Sequence, residues 1–425
     1  MDELVALYKI DNTSNNIIKY LKSNNNVIYS EYGASPQLGA GYTIFTGQTR
    51  EKLKDFELDL RFKSKTFYYV TNPYELVINS NQDEQNDNII TYSQMYFKGL
   101  QPLTQNNREF FALWETMMLL SLIPASKSIK SLHISSDDDS IRSLTYYRSK
   151  FSQQSKDDHI VISETATPSS RGKTITTIKS SLNDIKEIKT HASKISNIDF
   201  IVINPAHKIK KSERFEDEYR EQESFKNTIV NVFVAISSQK QGGNLILKLY
   251  EAYTEPIIKI IALLSALYKN VYTYKPFSSR DIDTEYYLVC KNFNGIDAAP
   301  LKSFESIVEK CISSKLLISD IMEGYEIEQK FKESLVFSSR HISDTQFLAI
   351  NKMVIYANSG NYYGEKYHEY LSEQKNGTEL WLKSFFPLDS TKDKANLKNL
   401  TEGIVKNRLN NHEVELNKYR LDIAF

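Results

Sequence analysis

Lys248 and Glu285 are the side chains of this sequence best placed for joint acid–base work. Lys248 stands near the end of an apolar run, Gln241-Gly-Gly-Asn-Leu-Ile-Leu-Lys-Leu-Tyr250, and Glu285 opens another, Thr284-Glu-Tyr-Tyr-Leu-Val-Cys290. A lysine amine flanked by acids can be tuned for proton transfer, and a carboxylate beside it does part of that tuning. Between the two runs lies Lys275-Pro-Phe-Ser-Ser-Arg280. Two readings of Lys275, Ser278, Ser279 and Arg280 are open. They contact phosphate or RNA, or they form a rigid turn, which Pro276 alone would justify.

The elements that must position these groups read as an alternation of short strands and helices. Strands are expected at Ile129–Ser135, His159–Ser163, Phe200–Ile203, Asn244–Leu249, Asn270–Tyr274 and Tyr286–Cys290, with helices clearest at Ser224–Ser237 and Glu255–Tyr268. Such alternation predicts an α/β fold, a mostly parallel sheet with helices on both faces. The last two strands are joined without a helical pattern, so an antiparallel final strand is expected. Ligands bind such sheets outside the carboxyl ends of the strands. Lys248 then sits at the edge of that crevice, and Glu285 reaches it if its strand runs the other way.

The sequence divides into residues 1–104, a mixed β-rich extension; 105–295, the α/β domain; and 296–425, a helical module without chemistry of its own. In the first, Tyr42–Phe45, Phe56–Phe62 and Thr66–Val70 carry the alternation and aromatic content of strands, and Asn79–Asn88 reads as a solvated loop. The second opens on a helix over residues 107–123, with Phe110, Phe111, Trp114, Met117, Met118 and Leu120 at helical spacing. In the third, one stripe runs through Phe304, Ile307, Val308, Cys311 and Ile312, another through Phe347, Leu348, Ile350, Met353 and Val354.

Composition sets outer bounds. Lys+Arg and Asp+Glu both number 53, which excludes a polyanion binder held by bulk charge but permits a local basic groove. The run His207, Lys208, Lys210, Lys211, Arg214 is followed at once by acids, the pattern of a solvated mixed-charge face. The 2 cysteines, Cys290 and Cys311, are too few for a disulfide framework or a structural zinc site and fit a reducing, cytoplasmic setting. No apolar run is long enough for a membrane span, the histidines have no metal-ligand spacing, and no Walker loop or DNA-binding motif is present. Scarce Gly (14) and Pro (10) beside abundant Asn, Lys and Ile match an AT-rich coding genome, which many large DNA viruses have.

From Gln241 to Cys290 the chain resembles the FtsJ-like family of RNA ribose 2′-O-methyltransferases, here of a viral cap-methyltransferase type. That family's pattern is a Gly-Gly turn, an apolar strand ending in Lys, then Lys-Pro-x-x-Ser-Arg and Glu-x-Tyr-Leu-Val. The resemblance implies a Rossmann-like methyltransferase fold, S-adenosylmethionine as donor, and an RNA ribose hydroxyl, often beside an mRNA cap, as acceptor. It also implies a Lys-Asp-Lys-Glu set that favours deprotonation of the hydroxyl, with Lys248 as the second lysine and Glu285 as the glutamate.

Other positions depart from the pattern. Arg108-Glu-Phe-Phe-Ala-Leu-Trp-Glu115 fits the family helix but carries Ala112 in place of the first lysine. Asp199-Phe-Ile-Val-Ile-Asn204 fits the strand that should end in aspartate, with Asn204 there instead. The donor loop should be glycine-rich so that backbone can approach the nucleotide. Residues 131–142 hold no glycine but three successive aspartates, leaving Ser135, Asp137 and, after the next strand, Glu164 as donor-site candidates.

Two functions follow from the resemblance. One is a degenerate methyltransferase fold kept as a binding or stimulatory subunit in mRNA capping. The layout is also similar to the poxvirus mRNA-capping enzyme small subunit, an inactive 2′-O-methyltransferase-like protein that stimulates a partner guanine-N7 methyltransferase. The other is an active enzyme with a divergent site, Lys98 or another lysine replacing the missing one. S-adenosylmethionine binding is expected only in the second, and RNA, as capped mRNA, is the expected partner in both.

Overall fold

The computed structural model describes residues 5–56, 63–79, 108–135, 138–152, 156–164, 175–182, 184–204, 220–250, 252–386 and 391–423. In chain order the elements are β1 (Ala6–Ile10), α1 (Asn16–Ser23), β2 (Val27–Ser30), α2 (Ala40–Glu51), α3 (Ser64–Thr71), α4 (Glu75–Asn79), α5 (Arg108–Leu119), β3 (Lys130–Ser135) and α6 (Asp139–Phe151). There follow β4 (Asp158–Ser163), β5 (Ile175–Lys179), α7 (Ile185–Lys194), β6 (Ile198–Asn204), α8 (Arg220–Ser238), β7 (Gln239–Leu249), α9 (Glu255–Leu267), β8 (Tyr268–Lys275) and β9 (Tyr286–Phe293). The remainder is α10 (Ala298–Ser313), β10 (Leu317–Ile321), α11 (Gln329–Ser359), α12 (Glu365–Phe385) and α13 (Thr391–Ile423).

Eight of the strands form one sheet in the order β1-β8-β9-β7-β6-β3-β4-β5. The pairs β3–β4, β3–β6, β4–β5 and β6–β7 are parallel, while β9 is antiparallel to both neighbours, β7 and β8. The expected parallel core with a reversed strand is therefore present, and the reversal brings the start of β9 beside the end of β7. The strands alternate between two apolar faces. Leu132, Ile134, Ile201, Ile203, Leu245, Leu247 and Leu288 join the core shared with α7, α8 and α9. Phe200, Val202, Ile246, Tyr274, Tyr287 and Val289 join a second core with α5, α12 and α13. Both faces of the sheet are buried, which is why its central strands read as near-continuous apolar runs.

Local signals account for several boundaries. Asp184 caps α7, its carboxylate accepting from the amides of Lys186 (2.7 Å) and Glu187 (3.2 Å). Pro256 occupies the first turn of α9, where its missing N–H costs nothing.

Two expected strands are helices. Tyr42–Phe45 lies in α2, and Thr66–Val70 in α3. Phe67 and Val70, three apart, face Ile350, Met353 and Val354 of α11 in one cluster. Burial against a long helix decides the conformation there, over the β preference of aromatic and branched residues. On α11, Ile350, Met353 and Val354 are buried as expected, but Phe347 and Leu348 face outward. The positions from 57 to 62 and from 80 to 88 lie outside the described residues. Four strands carried no clear signal: β2 and β10, which pair with each other in a separate two-stranded sheet, and β5 and β1. β5 has a half-exposed pattern, and β1 adds an eighth strand antiparallel to β8. β1 is held from far along the chain, where His412 Nε2 of α13 donates to the carbonyl of Lys9 at 3.0 Å and Arg420 meets Asp11 at 2.6 Å.

Candidate active site

The side chains that face α5 across the carboxyl ends of the parallel strands form one row. Ser135 of β3 pairs with Asn204 of β6. Asn204 follows Ile203, which pairs with Leu247, so it adjoins Lys248 of β7. Lys248 pairs with Tyr287 of β9, and Tyr287 with Tyr274 of β8. Glu285, two residues before Tyr287, shares its face. Topology thus places the sequence-predicted pair together, and the ammonium of Lys248 lies 2.7 Å from the Glu285 carboxylate.

A second carboxylate, one that sequence reasoning passed over, completes this centre. Glu109, in the first turn of α5, reaches Lys248 at 3.0 Å and accepts from the Tyr287 hydroxyl at 2.6 Å. It is one helical turn before Ala112, on the inward face of the same helix, and that spacing was the only available signal. Glu109 and Tyr287 are buried, and the side chains of Lys248 and Glu285 are only 10% and 12% exposed. Burial disfavours the ammonium, but Glu109 and Glu285 outweigh it and hold the Lys248 pKa well above its ordinary value. Burial likewise opposes ionisation of Glu285, yet Lys248 and Lys275 hold its pKa below the usual range. For Glu109, burial together with the facing Glu285 prevails over Lys248, and its pKa is raised.

The loop Lys275–Arg280 is built from within, its side chains held by buried acids and backbone carbonyls. Lys275 is buried and donates to the carbonyls of Asp283 (2.6 Å) and Glu285 (2.7 Å), and burial lowers its pKa. Ser279 Oγ donates to Glu285 at 3.0 Å, fixing that carboxylate from the side opposite Lys248. Ser278 is fully buried; its amide (3.2 Å) and hydroxyl (3.1 Å) both donate to Glu115. Arg280 pairs with the fully buried Glu75 at 3.1 Å and stacks on the Tyr68 ring. Arg108 pairs with the same Glu75 at 2.5 Å and donates to the Ser278 carbonyl. The start of α5 and the Lys-Pro-Phe-Ser-Ser-Arg loop are therefore one interlocked unit, joined through Glu75 and Glu115. The loop after β7 is fixed in a similar way, with the amides of Tyr253 (2.7 Å) and Thr254 (2.9 Å) donating to buried Glu221.

The donor side of the crevice has a different character. β3 ends at buried Ser135, and Asp138 precedes α6, whose first residue, Asp139, is buried and paired with Arg142 at 3.4 Å. An acid thus already occupies the helix N-terminus that an anionic group would use. Glu164 is exposed just beyond β4. Asp137, Lys98 and the run from His207 to Arg214 lie outside the described residues. No glycine stands between Ser131 and Arg142, where the family pattern has a glycine-rich turn. Behind them, Ser131, His133, Ser140 and His159 form a buried chain. Ser131 Oγ lies 2.9 Å from His133 Nε2 and 2.8 Å from His159 Nδ1, and His133 Nδ1 lies 3.1 Å from Ser140 Oγ. Among the described residues no group of His, Cys, Asp and Glu could hold a metal ion, and no helix is long and apolar enough to cross a membrane.

An uncharacterised protein of Acanthamoeba polyphaga mimivirus is 27% identical over 154 residues, 36% of this chain and 42% of its own. The cap-specific mRNA (nucleoside-2′-O-)-methyltransferase 1 of Trypanosoma cruzi is 32% identical over 123 residues, 28% of this chain and 34% of its own. The chain thus matches less than half the length of these relatives. Among solved structures, a ribosomal RNA methyltransferase from Plasmodium falciparum aligns with 20% identity and a TM-score of 0.35, covering 45% of this chain and 99% of that one. The family model of the FtsJ-like methyltransferases matches residues 156–293, the stretch that runs from β4 to the end of β9. The chain carries an FtsJ-like methyltransferase domain.

Proposed function

We propose that this chain is a non-catalytic member of the RNA cap 2′-O-methylation machinery, a methyltransferase fold retained to bind RNA and to stimulate a partner enzyme in the cytoplasm. The observation that carries the reading is that Glu109, from the helix covering the crevice, lies over Lys248 at 3.0 Å with Glu285 at 2.7 Å, so that a carboxylate fills the space above the amine. An ammonium so held keeps its proton and has no lone pair with which to accept one from a ribose hydroxyl. Ala112 and Asn204 remove the second amine and the strand-end acid, and the glycine-free turn removes the donor's cradle. Losing one acid–base group commonly costs a factor of about 10²–10⁴ in rate. The partner that the layout suggests is a guanine-N7 cap methyltransferase.

A second reading, an active 2′-O-methyltransferase with a divergent site, is favoured by the retained Lys248–Glu285 pair and by relatives named as cap methyltransferases. Incubation of the full chain with labelled S-adenosylmethionine and capped or uncapped RNA separates the two. The proposed reading expects no transfer and no tight calorimetric binding of the donor. Transfer that is abolished by Lys248→Ala would replace it with the second.

A further inference from the structure

We infer that Glu109 has taken over the charge-balancing work that the family pattern gives to an acid at position 204, and that it locks Lys248 in place as a fixed cation. The inference rests on the proposed non-catalytic reading for its meaning, but on geometry for its support.

Three observations converge. First, the strand-end acid is absent. Asn204 adjoins Lys248 on the same face of the sheet, where an aspartate would be its natural counter-charge, and an amide cannot supply one. Second, Glu109 approaches the ammonium from above the sheet, 3.0 Å away, while Glu285 approaches it from β9 at 2.7 Å. Third, Glu109 is aimed. Its other oxygen accepts from the Tyr287 hydroxyl at 2.6 Å, and Tyr287 is the register partner of Lys248. That hydrogen bond fixes the carboxylate over the lysine and gives each oxygen one buried partner.

The substitution at 112 belongs to the same change. A lysine there would stand one turn after Glu109 on the inward face of α5 and would compete for its carboxylate. With Ala112 in that place, Glu109 is left to Lys248. Loss of the helix lysine and gain of the helix acid therefore act in one direction. They move the second counter-charge of Lys248 from the strand end, at the crevice floor, to the helix that covers it, and they fill the space over the amine with a carboxylate. Glu109 is a positioning residue in this account, acting through Lys248.

The test is proton-exchange behaviour of one amine, read by NMR on the full chain with carbon-13 at lysine Cε and the Lys248 signal assigned by its loss in Lys248→Met. In the unaltered chain that signal should not titrate over the range where surface lysines do. Glu109→Gln should bring its midpoint down, raising the lysine's acid constant about tenfold or more. Adding Asn204→Asp to Glu109→Gln should reverse the shift, because the acid returns to the strand end. A Lys248 titration unmoved by Glu109→Gln would overturn the inference, and so would failure of Asn204→Asp to reverse the shift. If Glu109→Gln does not fold, Glu109→Asp, which keeps the charge on a shorter arm, should give an intermediate midpoint, and an unchanged one would count against the lock. Methyl transfer measured on the same samples reports separately on the proposed function. A chain that transfers methyl groups yet shows these shifts loses the reading and keeps the lock.

Discussion

The indole of Trp381 donates to the carboxylate of Glu115 at 2.8 Å, joining α12 of the helical module to the helix that covers the candidate site. Both residues are fully buried. Glu115 also accepts from the Tyr274 hydroxyl, from the amides of Phe277 (2.7 Å) and Ser278 (3.2 Å) and from the Ser278 hydroxyl (3.1 Å). Burial pushes its pKa up and these donors pull it back, with a net rise. The helical module thus reaches into the loop that sets Ser279 against Glu285, and it takes part in building the site.

Glu115→Ala strands those donors without water, and it should lower stability by about 3 kcal/mol or more, since each buried donor left unpaired costs about 1–3 kcal/mol. Trp381→Phe keeps most of the ring packing and removes one donor, so it should cost about 1 kcal/mol from the lost hydrogen bond. Urea unfolding of the two variants checks the order. Equal losses would mean that packing, rather than the carboxylate, carries the junction.

Lys248→Met should cost about 3–5 kcal/mol at neutral pH, because it leaves Glu109 and Glu285 facing each other unpaired. Their folded-state pKa values must then rise above the unfolded ones, so the folded variant binds more protons than the unfolded one. Its deficit is largest at high pH and should shrink as pH falls from 7 towards 5. Denaturation midpoints of variant and parent at the two pH values test this, and a constant difference would show that the acids do not interact.

His133 supplies a dependence of opposite sign. Burial, assisted by His159, pushes its pKa down to about 3. The unfolded chain, with a histidine near its ordinary value of about 6.5, therefore binds the proton more readily. The stability that neutral His133 contributes is fully present above pH 6.5 or so and is lost as pH falls through the window towards 3. Relative to His133→Gln, the parent should lose about 2 kcal/mol between pH 6.5 and pH 5, at one proton per unfolding event. Paired unfolding curves at those pH values measure it, and parallel behaviour of the two proteins would remove His133 as the titrating group.

The sheet was legible because its strands are buried on both sides and carry long apolar runs between turn signals. Lys248 and Glu285 were legible as a pair because one lies late in its strand and the other opens a strand that runs back. Other features lacked a local signal. Thr66–Val70 has strand composition, and only its packing on α11, hundreds of residues later, makes it helical. Glu109 sits beside Arg108 in a stretch that looks like an ordinary charged helix start, and its partners come from β7 and β9. Ser278 and Ser279 have the composition of an exposed phosphate loop. Their burial follows from Glu115 and Glu285, which a linear reading cannot place beneath them.

The fastening of β1 has a consequence for the margin of the sheet. The strand precedes its pairing edge on β8 by some 260 residues, and the His412 and Arg420 side chains that clasp it by some four hundred. Where β1 is not held there, the margin of β8 exposes unsatisfied amides and carbonyls to other strands. The clasp from α13 therefore guards that margin, and a chain that loses it should be the more prone to join its neighbours edge to edge.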